Sequence, residues 1–600
     1  MIVKIKAVFT ILSQPAWSLL LAAGFIFLLA LVSPNSYTGS DAHFSLLVSQ
    51  AIIEHGTLQL DAYLPEVQEQ LSQFAYQLQP NNEHTYYAFP IGTSVLMLPF
   101  VGLVNLFGFD MAQTADNYLL QNLLSAAICA ALFLALYQLC TCYINHTQAL
   151  LITLITMLGS TLISTLATAL WSLDLTVLCL TLALLLMCRH ATDKTKPPNP
   201  YLLGFLLFAA FFCRPTSAIF ILIAFGYLWR HARPTLWPTA TTAAILLALF
   251  LLANFIELGV LIPPYYLPQR LGEGQADLPV FSLFQRLNGL LLSPSRGFFS
   301  FTPWAIVVLV GCVIFGRKLA HQHPWFRLSI IWWVAQLAVV SQFPHWWGGY
   351  SFGPRLLTDS LPAVVLLTAL LAATVQTTPG RKWWVASFAL TGLFSIWIHS
   401  GQGLFNVNTT MWNVTPSIDE DPDILFDWHT PQFFATAANN TDRWLEYTQS
   451  AYTAGTLDPP VYNWGTPLTH DSVEAIYIGW WSPHPNEWWS DTTENHILFE
   501  IGDVENMLYT LQLHSQALET YTVNVRLNGH FVDTLTISAN PATYPLTAES
   551  SWLRPNSLNT LTLEVPSATF PLRQIPEVGI RAARHRIALK NTWLTLQVIE

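Results

Sequence analysis

Apolar residues follow one another in long, almost unbroken runs over the first 400 residues. The longest runs lie at about 17–32, 118–143, 149–168, 173–188 and 201–229. A helix of about 20 predominantly apolar residues crosses the hydrocarbon core of a bilayer. The pattern therefore predicts a polytopic α-helical membrane part over residues 1–400.

The pattern changes near Gly401, where the long apolar runs stop. Residues 401–469 are rich in Asn, Thr, Asp and Pro, and we expect an irregular linker there. Later segments alternate apolar and polar residues, as strands with one buried face do; they lie at 496–501, 507–511, 521–527 and 592–598. Asn528-Gly529 is a strong signal for a tight hairpin. We therefore expect an all-β sandwich domain over residues 470–600.

The composition agrees with a membrane part joined to a soluble tail. Hydrophobic residues make up 52 % of the chain and charged residues only 10 %, whereas a soluble globule carries about a quarter charged residues. The net charge is −11, and 22 of the 36 acids follow residue 400, which argues against nucleic acid as a partner. The last of the seven cysteines is Cys312, so disulfides do not build the tail.

Basic residues indicate the orientation of the loops. Lys4 and Lys6 precede the first apolar run, and no small-residue cleavage site follows it. This run is therefore a membrane anchor with a cytoplasmic N-terminus. The segment 34–88 then lies outside, and it contains six acids but no lysine or arginine.

Later basic clusters should also lie in the cytoplasm; they are Arg189/Lys194/Lys196, Arg230/Arg233, Arg317/Lys318/Arg327 and Arg381/Lys382. All four clusters lie in the cytoplasm only if neither of two apolar segments, 89–108 and 201–229, crosses the membrane a single time. Segment 89–108, interrupted by prolines and glycine, would stay at the outer interface, so that 34–117 forms a first outer loop with interfacial helices. Run 201–229 would be a hairpin of two short helices with Arg214 at its tip, next to a proline. About eleven spans result.

Three stretches of the membrane part resemble the GT-C superfamily, whose members are polytopic glycosyltransferases that use polyprenyl-phosphate sugars. Asp41 follows the first span, and an amphipathic run ending at His55-Gly56 leads to the entry Phe89-Pro90-Ile91-Gly92. The stretches 293–303 and 346–355 are similar to stretches common in bacterial members. The resemblance covers about residues 1–400 and extends to the protein O-mannosyltransferases and the lipid A aminoarabinose transferase.

This resemblance implies roles for individual residues. Asp41 matches the first-loop acid that accepts or orients the proton of the acceptor, and Asp174 matches the acid of the second outer loop. Arg214 occupies a hairpin-tip position where relatives carry a basic residue. The resemblance also implies an inverting transfer of a hexose or pentose, and it leaves a divalent cation open as a cofactor. Ala42-His43 follows Asp41 here, where the family often has a second acid.

The chemistry of such a transfer supports the same residues. A polyprenyl-phosphate sugar releases a phosphate monoester, and cationic groups stabilise its growing charge. The attacking hydroxyl needs a carboxylate base, and Asp41 is held just beyond the end of a helix. The predicted catalytic residues are thus Asp41 and Asp174. The predicted substrate-binding residues are Arg355, Arg214, Arg296, His43, Trp346 and Tyr350.

Several of these side chains also have a purely structural interpretation. Asp174 suits the start of a helix, where the dipole favours an acid. Arg355 and Arg214 suit interfacial anchors, Asp41 suits a surface acid near a span end, and His43 suits a polar loop. In the tail, aromatic side chains either stack on sugar rings, which would make the domain carbohydrate-binding, or fill a core or a membrane interface; they are Trp480, Trp481, Trp488 and Trp489.

The sequence thus predicts a GT-C-type glycosyltransferase in a bacterial inner membrane, with a periplasmic C-terminal domain. Its predicted partners are a polyprenyl-phosphate-linked sugar, membrane lipids, and a glycan, lipid or protein acceptor of the cell envelope. A transporter or flippase of lipid-linked sugars is one alternative, and a non-catalytic scaffold with a glycan-binding tail is another. A transporter would need charges at mid-membrane depth or repeated halves. The charges lie at one face and no repeat is visible, which favours the enzyme.

Overall fold

In a computed structural model of the chain, two compact units are present. The helical unit contains the described residues up to Thr410 together with Pro422–Phe433, and the second unit contains Met411–Asp421 and most of the chain after Phe433. The structure describes residues 15–67, 74–81, 83–195, 197–266, 281–376, 378–457, 460–462, 468, 475–478, 480–481, 488–490, 494–504, 508–517, 520–565 and 589–598.

The described part of the helical unit is dominated by helices of ten residues or more. They are α1 (Pro15–Leu31), α2 (Ser45–His55), α3 (Gly92–Asn105), α4 (Thr114–Thr141), α5 (His146–Leu158), α6 (Ser172–Thr192), α7 (Pro200–Cys213), α8 (Ala218–His231), α9 (Arg233–Leu258), α10 (Leu283–Leu292), α11 (Trp304–Gln322), α12 (Pro324–Val340), α13 (Leu361–Val375) and α14 (Arg381–Ile396). A short hairpin joins β1 (Leu78–Asn81) to β2 (His84–Tyr87) in the loop between α2 and α3.

Five described segments are long and apolar enough to cross a membrane: α4, α6, α9, α11 and the segment Arg355–Val375, which begins as a 3-10 turn and continues as α13. Helix α9 exposes large apolar side chains, among them Leu249, Leu252 and Phe255. Exposed apolar faces of this kind are those of a helix in hydrocarbon rather than in water. The unit therefore has the character of an integral membrane protein, whereas a total of about eleven spans stays a prediction.

Local chemistry explains where several helices begin. Asn199 caps α7 by accepting hydrogen bonds from Tyr201 N and Leu202 N, and Pro200 occupies the first helical position, where its missing N–H costs nothing. Ser282 and Gln285 form a capping box at the start of α10. These ends are therefore encoded by short-range side-chain hydrogen bonds.

The run 201–229 is divided at Arg214, where a break was expected, into α7 and α8. The hydroxyl of Tyr227 in α8 donates to the carbonyl of Met187 in α6 at 3.2 Å. Because α7 begins soon after α6 ends, the start of α7 and the end of α8 lie near the same end of α6. Arg214 therefore lies near the opposite end of α6.

Helix α3 is packed against the first loop. A Cβ atom at Gly92 would lie 2.4 Å from the backbone of Phe212, so only glycine allows this approach of α3 to α7. After α3 the chain returns to α2, where Met111 N donates to Gln50 Oε1 at 2.7 Å. Segment 92–111 is therefore held by α7 near its start and by α2 near its end, and its place at the membrane interface stays a prediction.

The second unit contains α15 (Ala437–Thr453) and two five-stranded antiparallel sheets, β10-β7-β12-β5-β4 and β3-β6-β11-β8-β9. The strands are β3 (Ala475–Ile478), β4 (Trp480–Trp481), β5 (Trp488–Ser490), β6 (Glu494–Ile501), β7 (Leu508–Ala517), β8 (Tyr521–Leu527), β9 (His530–Ile537), β10 (Ala542–Glu549), β11 (Ser557–Glu564) and β12 (Leu589–Val598). Leu511 and Leu594 from one sheet share a buried core with Val525 and Leu563 from the other.

The tail differs from expectation in two places and agrees in a third. Helix α15 lies within residues 401–469, for which an irregular linker was expected. The predicted strands did not include the paired tryptophans, but their backbones form β4 and β5, while their side chains lie outside the described part. Asn528 and Gly529 join β8 to β9 with φ angles of 51° and 84°, as a tight hairpin turn requires.

Candidate active site

Asp41 lies in a turn between α1 and α2 whose backbone is held by four side chains. Consecutive carbonyls each accept a hydrogen bond from a side chain distant in sequence: Ser40 from Gln77, Asp41 from the Tyr87 hydroxyl, Ala42 from Gln121 and His43 from Asn117. Each such bond contributes about 1 kcal/mol. Because the donors come from the first loop and from α4, the backbone of the turn is fixed from two sides.

Arg355 pairs with this carboxylate. Its Nη2 lies 3.5 Å from Asp41 Oδ2, with the Arg355 side chain 13 % exposed and that of Asp41 35 % exposed. The guanidinium also stacks over Trp171, the residue before α6. Its Nε–H is buried and has no hydrogen-bond partner within the described residues. A buried cationic donor without a partner is costly, so this nitrogen is suited to an anionic ligand.

A second arginine–aspartate pair joins the tip at Arg214 to the segment that carries Arg355. Arg214 Nε lies 3.1 Å from Asp359 Oδ2, and the Asp359 side chain is only 1 % exposed. The same oxygen accepts hydrogen bonds from Thr216 at 2.5 Å and from Gln336 at 3.3 Å. Asp359 follows Arg355 by four residues in the 3-10 turn Arg355–Ser360. One short segment therefore supplies one arginine and holds the other.

Tyr265 lies close to both pairs. Burial raises the pKa of its phenol, and the charges that act on it are those of Arg214, Asp41, Arg355 and Asp359. The Tyr265 hydroxyl is therefore protonated at neutral pH and available as a donor. Burial and the Asp41 carboxylate likewise raise the pKa of Tyr87 in β2.

An apolar groove shares two tyrosines with the surroundings of these charges. It has an empty volume of about 750 Å³ including its open mouth, and its lining comes from the first loop, from the end of α9 and from the residues after it. Tyr87 and Tyr265 belong both to the groove and to the surroundings of the charged pairs. The Phe89 ring lies 5.6 Å from Tyr87 and 5.7 Å from Tyr265, which makes one aromatic wall. This wall is suited to an apolar ligand.

Asp174 is placed differently from Asp41. It is fully buried in the first turn of α6, and neither carboxylate oxygen has a hydrogen-bond partner among the described residues. It forms no ion pair with Arg214 or Arg355 in that part of the chain. The structure therefore pairs Asp41 with Arg355, whereas Asp174 is not paired with either predicted arginine.

Arg296 is occupied by backbone carbonyls. It is 1 % exposed and donates to the carbonyls of Ser295, Trp347 and Gly349, and to Gln432 Oε1 at 2.6 Å. These bonds hold the loop that precedes Arg355. With these acceptors, the Arg296 guanidinium is suited to stabilising the loop. To bind a phosphate, as the sequence predicted, it would have to break several of these hydrogen bonds.

The remaining predicted binding residues lie in different surroundings. His43 is buried, stacks on Phe74 with 4.0 Å between ring centroids, and has Nδ1 3.0 Å from the Tyr118 hydroxyl. Trp346 is buried so tightly against Gly289 that a Cβ atom there would lie 2.2 Å from its ring. Tyr350, in contrast, is 41 % exposed. Of these three, only Tyr350 is open to a ligand.

The acids near the site belong to no cluster of potential metal ligands in the described part of the chain. No group of three or more His, Cys, Asp or Glu side chains that could hold a metal ion is found among the described residues. Asp41 has Arg355 as its partner, and the adjacent His43 ring is enclosed by aromatic rings. The divalent cation that the sequence left open therefore stays a prediction.

Two solved structures are similar to this chain at low identity, and both are of the oligosaccharyltransferase of Archaeoglobus fulgidus. The apo form covers 69 % of this chain at 10 % identity with a TM-score of 0.42, and the form tethered to an acceptor peptide containing the NVT sequon covers 70 % at 12 % identity with a TM-score of 0.41. This chain spans about three fifths of the length of the archaeal enzyme. No family model and no curated protein matches the sequence.

Sequence reasoning missed Asp359 and Tyr265. The sequence did contain an indication of Asp359. An acid at the start of an apolar span costs free energy unless it has a partner or a function, and Asp359 follows Arg355 by one helical turn. Tyr265 had none, since a tyrosine beside a span end is also the usual membrane-interface residue. Only the approach of the loop after α9 to the first loop distinguishes it.

Proposed function

We propose that this protein is a GT-C-type glycosyltransferase of the bacterial inner membrane. It transfers a sugar from a polyprenyl-phosphate carrier to a hydroxyl of a cell-envelope acceptor at the outer face. The observation that carries the proposal is an apolar groove that shares Tyr87 and Tyr265 with the surroundings of the two arginine–aspartate pairs. The groove suits the lipid, the arginines suit its phosphate, and the carboxylate suits the acceptor.

The arginines would act on the leaving group. As the bond between the anomeric carbon and the phosphate oxygen breaks, negative charge grows on a phosphate monoester. The partnerless Nε–H of Arg355 and the terminal nitrogens of Arg214 can then form charge-assisted hydrogen bonds with it. The Tyr265 hydroxyl is a neutral donor near both guanidinium groups.

Asp41 would act on the acceptor. Its carboxylate takes the proton of the attacking hydroxyl while the oxygen forms its bond to the anomeric carbon, so one displacement inverts that centre. A positioned general base contributes about 10²- to 10⁴-fold. Of the two aspartates in these pairs, Asp41 has the more exposed side chain, at 35 % compared with 1 % for Asp359. An acceptor can therefore reach Asp41.

Complementation of a deletion strain tests the function. Cells that produce Asp41→Asn should lose the transferred sugar from the envelope, which mass spectrometry of envelope glycans and lipid-linked sugars would detect. Asp61→Asn is the matched control, since Asp61 lies in the same loop but pairs with the exposed His84. Equal envelope sugar in the wild-type and Asp41→Asn strains would contradict the proposal.

Thiol labelling tests the orientation. Cysteine would replace Glu66 in the first loop or Thr195 between α6 and α7, both of which are exposed. The background would carry serine at Cys142 and Cys312, the two native cysteines that are partly exposed in the described chain. An impermeant reagent applied from outside should label position 66 and spare position 195. The reverse pattern would place Asp41 in the cytoplasm.

A further inference from the structure

The two arginine–aspartate pairs of the site differ in how firmly they are held. Arg355 and Asp41 are 3.5 Å apart, and the carboxylate is one-third exposed. Arg214 and Asp359 are 3.1 Å apart, and the carboxylate is almost completely buried. Thr216 and Gln336 donate hydrogen bonds to the same Asp359 oxygen, so this carboxylate is fixed by two donors and by the ion pair. The Arg214–Asp359 pair is thus the more firmly held of the two.

Asp359 and Thr216 bind Arg214 by one edge only. Arg214 Nε donates a hydrogen bond to Thr216 Oγ1 at 3.2 Å and forms an ion pair with Asp359 Oδ2. The terminal nitrogens of Arg214 make no hydrogen bond to any described residue. A guanidinium offers five N–H donors in a rigid plane, so holding Nε fixes the direction of the other four without occupying them.

We propose that Asp359 is a positioning residue for the donor phosphate, acting through Arg214. Its carboxylate, together with the Thr216 hydroxyl, orients Arg214 so that both terminal nitrogens bind the same phosphate as Arg355. This role rests on the proposed function and adds to it a residue that does not itself touch the substrate. The 3-10 turn Arg355–Ser360 carries both Arg355 and Asp359, and so sets the two phosphate-binding guanidinium groups relative to each other.

A positioning role and a simple counter-ion role predict opposite changes in phosphate binding. A counter-ion weakens phosphate binding, because it neutralises Arg214 and repels the ligand. Its removal should then tighten binding. A positioning residue strengthens binding, because an oriented arginine loses less freedom on binding its ligand. Its removal should then weaken binding, although one negative charge has been taken away.

Titration of the purified full-length protein with farnesyl phosphate distinguishes these roles without any sugar transfer. Asp359→Ala should bind about ten-fold or more weakly than the wild type, as for a lost charge-assisted contact. Asp359→Asn keeps an oxygen for Arg214 Nε, and should lose less. Thr216→Val, a milder change that preserves the ion pair, should bind about three-fold more weakly. Tighter binding by Asp359→Ala and Asp359→Asn would overturn the proposal.

A double-mutant cycle tests whether Asp359 acts through Arg214. In an Arg214→Gln background, Asp359→Ala should have no further effect on farnesyl phosphate binding, because the group that it orients is gone. An equal loss in both backgrounds would assign Asp359 to the fold alone and overturn the proposal. Glu564→Gln is the control, since it removes a 2.6 Å carboxylate–Arg526 contact in the second unit.

The same titration separates this proposal from the proposed function. If the wild type binds farnesyl phosphate and farnesol equally, the phosphate site itself is wrong, and both proposals fail. If the wild type prefers farnesyl phosphate but Asp359→Ala binds it unchanged, only the role of Asp359 fails. The expected result is a preference for farnesyl phosphate that is reduced in Asp359→Ala.

Discussion

The guanidinium carbon of Arg355 lies 4.5 Å from the centroid of the Trp171 ring. Trp171 is itself fixed, since it is buried and its Nε1–H donates to the carbonyl of Thr165 at 3.1 Å. The indole therefore forms a rigid platform that leaves the edge of the guanidinium free for Asp41 and for a ligand. A cation–π contact of this kind contributes about 0.5–2 kcal/mol.

Trp171→Leu should consequently weaken use of the donor. Loss of the platform frees Arg355, and we expect the donor KM to rise by about 3- to 30-fold, which corresponds to this cation–π energy. Trp412→Leu is the matched control, because Arg443 lies over Trp412 at the same 4.5 Å in the second unit. An unchanged donor KM in Trp171→Leu would show that the platform does not orient Arg355.

Arg355 and Arg296 should respond differently to replacement by alanine. Arg355→Ala should raise the donor KM, with a loss of about 1.5–3 kcal/mol in donor binding, and leave the melting temperature almost unchanged. Arg296→Ala should lower the free energy of unfolding by at least about 3 kcal/mol, since its loss leaves several buried acceptors without a donor. Kinetics and thermal unfolding of both variants would check this contrast, and a stable, inactive Arg296→Ala would contradict it.

Tyr87→Phe should slow the transfer without affecting the donor. It removes the hydroxyl that binds the Asp41 carbonyl and loosens the turn that presents the carboxylate. Small displacements of a catalytic group reduce rates strongly, and we expect kcat to fall by about 10-fold with the donor KM unchanged. Tyr63→Phe is the control, because its hydroxyl binds Glu54 at 2.6 Å in the same loop. Equal kcat values for the two variants would argue against anchoring through Tyr87.

The second unit should lose stability in mild acid because of His496. Burial between β6 and β11 lowers the pKa of this imidazole to about 4, and its Nδ1 lies 3.0 Å from Thr562 Oγ1. Below its ordinary pKa of 6.5, the unfolded chain binds the proton and the folded chain does not. Stability is therefore complete above pH 6.5 and falls towards pH 4, by about 2 kcal/mol between pH 7 and pH 5.

Hydrogen exchange of the β6 and β11 amides in the full chain would measure this loss. His496→Asn should remove most of the difference between pH 7 and pH 5, once intrinsic exchange rates are corrected. His514→Asn should retain it, since His514 makes a similar contact with Thr543, at 2.9 Å, on an exposed face. An equal pH dependence in His496→Asn and the wild type would assign the acid sensitivity to other groups.

Much of the framework could be predicted because it depends on neighbouring residues. Alternating residues indicated β6, β7, β8 and β12, and Asn528-Gly529 indicated the turn after β8. The break at Arg214 followed from a charge beside a proline. Helix α15 was missed because a short amphipathic helix rich in Asn and Thr has weak intrinsic propensity, so that it depends on the sheet it packs against.

The candidate site could be predicted only in part. Asp41, Arg214 and Arg355 were identified because charges near the ends of apolar runs are costly and therefore informative. Arg296 has the same sequence signal but is enclosed by carbonyls, and Asp174 is buried without a partner in the described chain. A charge at a span end thus indicates that a residue is used, but it does not distinguish a ligand contact from an internal one.

The sequence by itself determined the properties that depend on composition and on spacing along the chain: an apolar helical part, an acidic β-rich tail, and charges at the ends of spans. Only the tertiary structure decided which of these charges meet. Asp41 and Arg355 are 314 residues apart, and Thr216 and Asp359 are 143 residues apart. Pairing over such separations depends on how the helices pack and on which helices the loops contact. A local sequence pattern specifies neither.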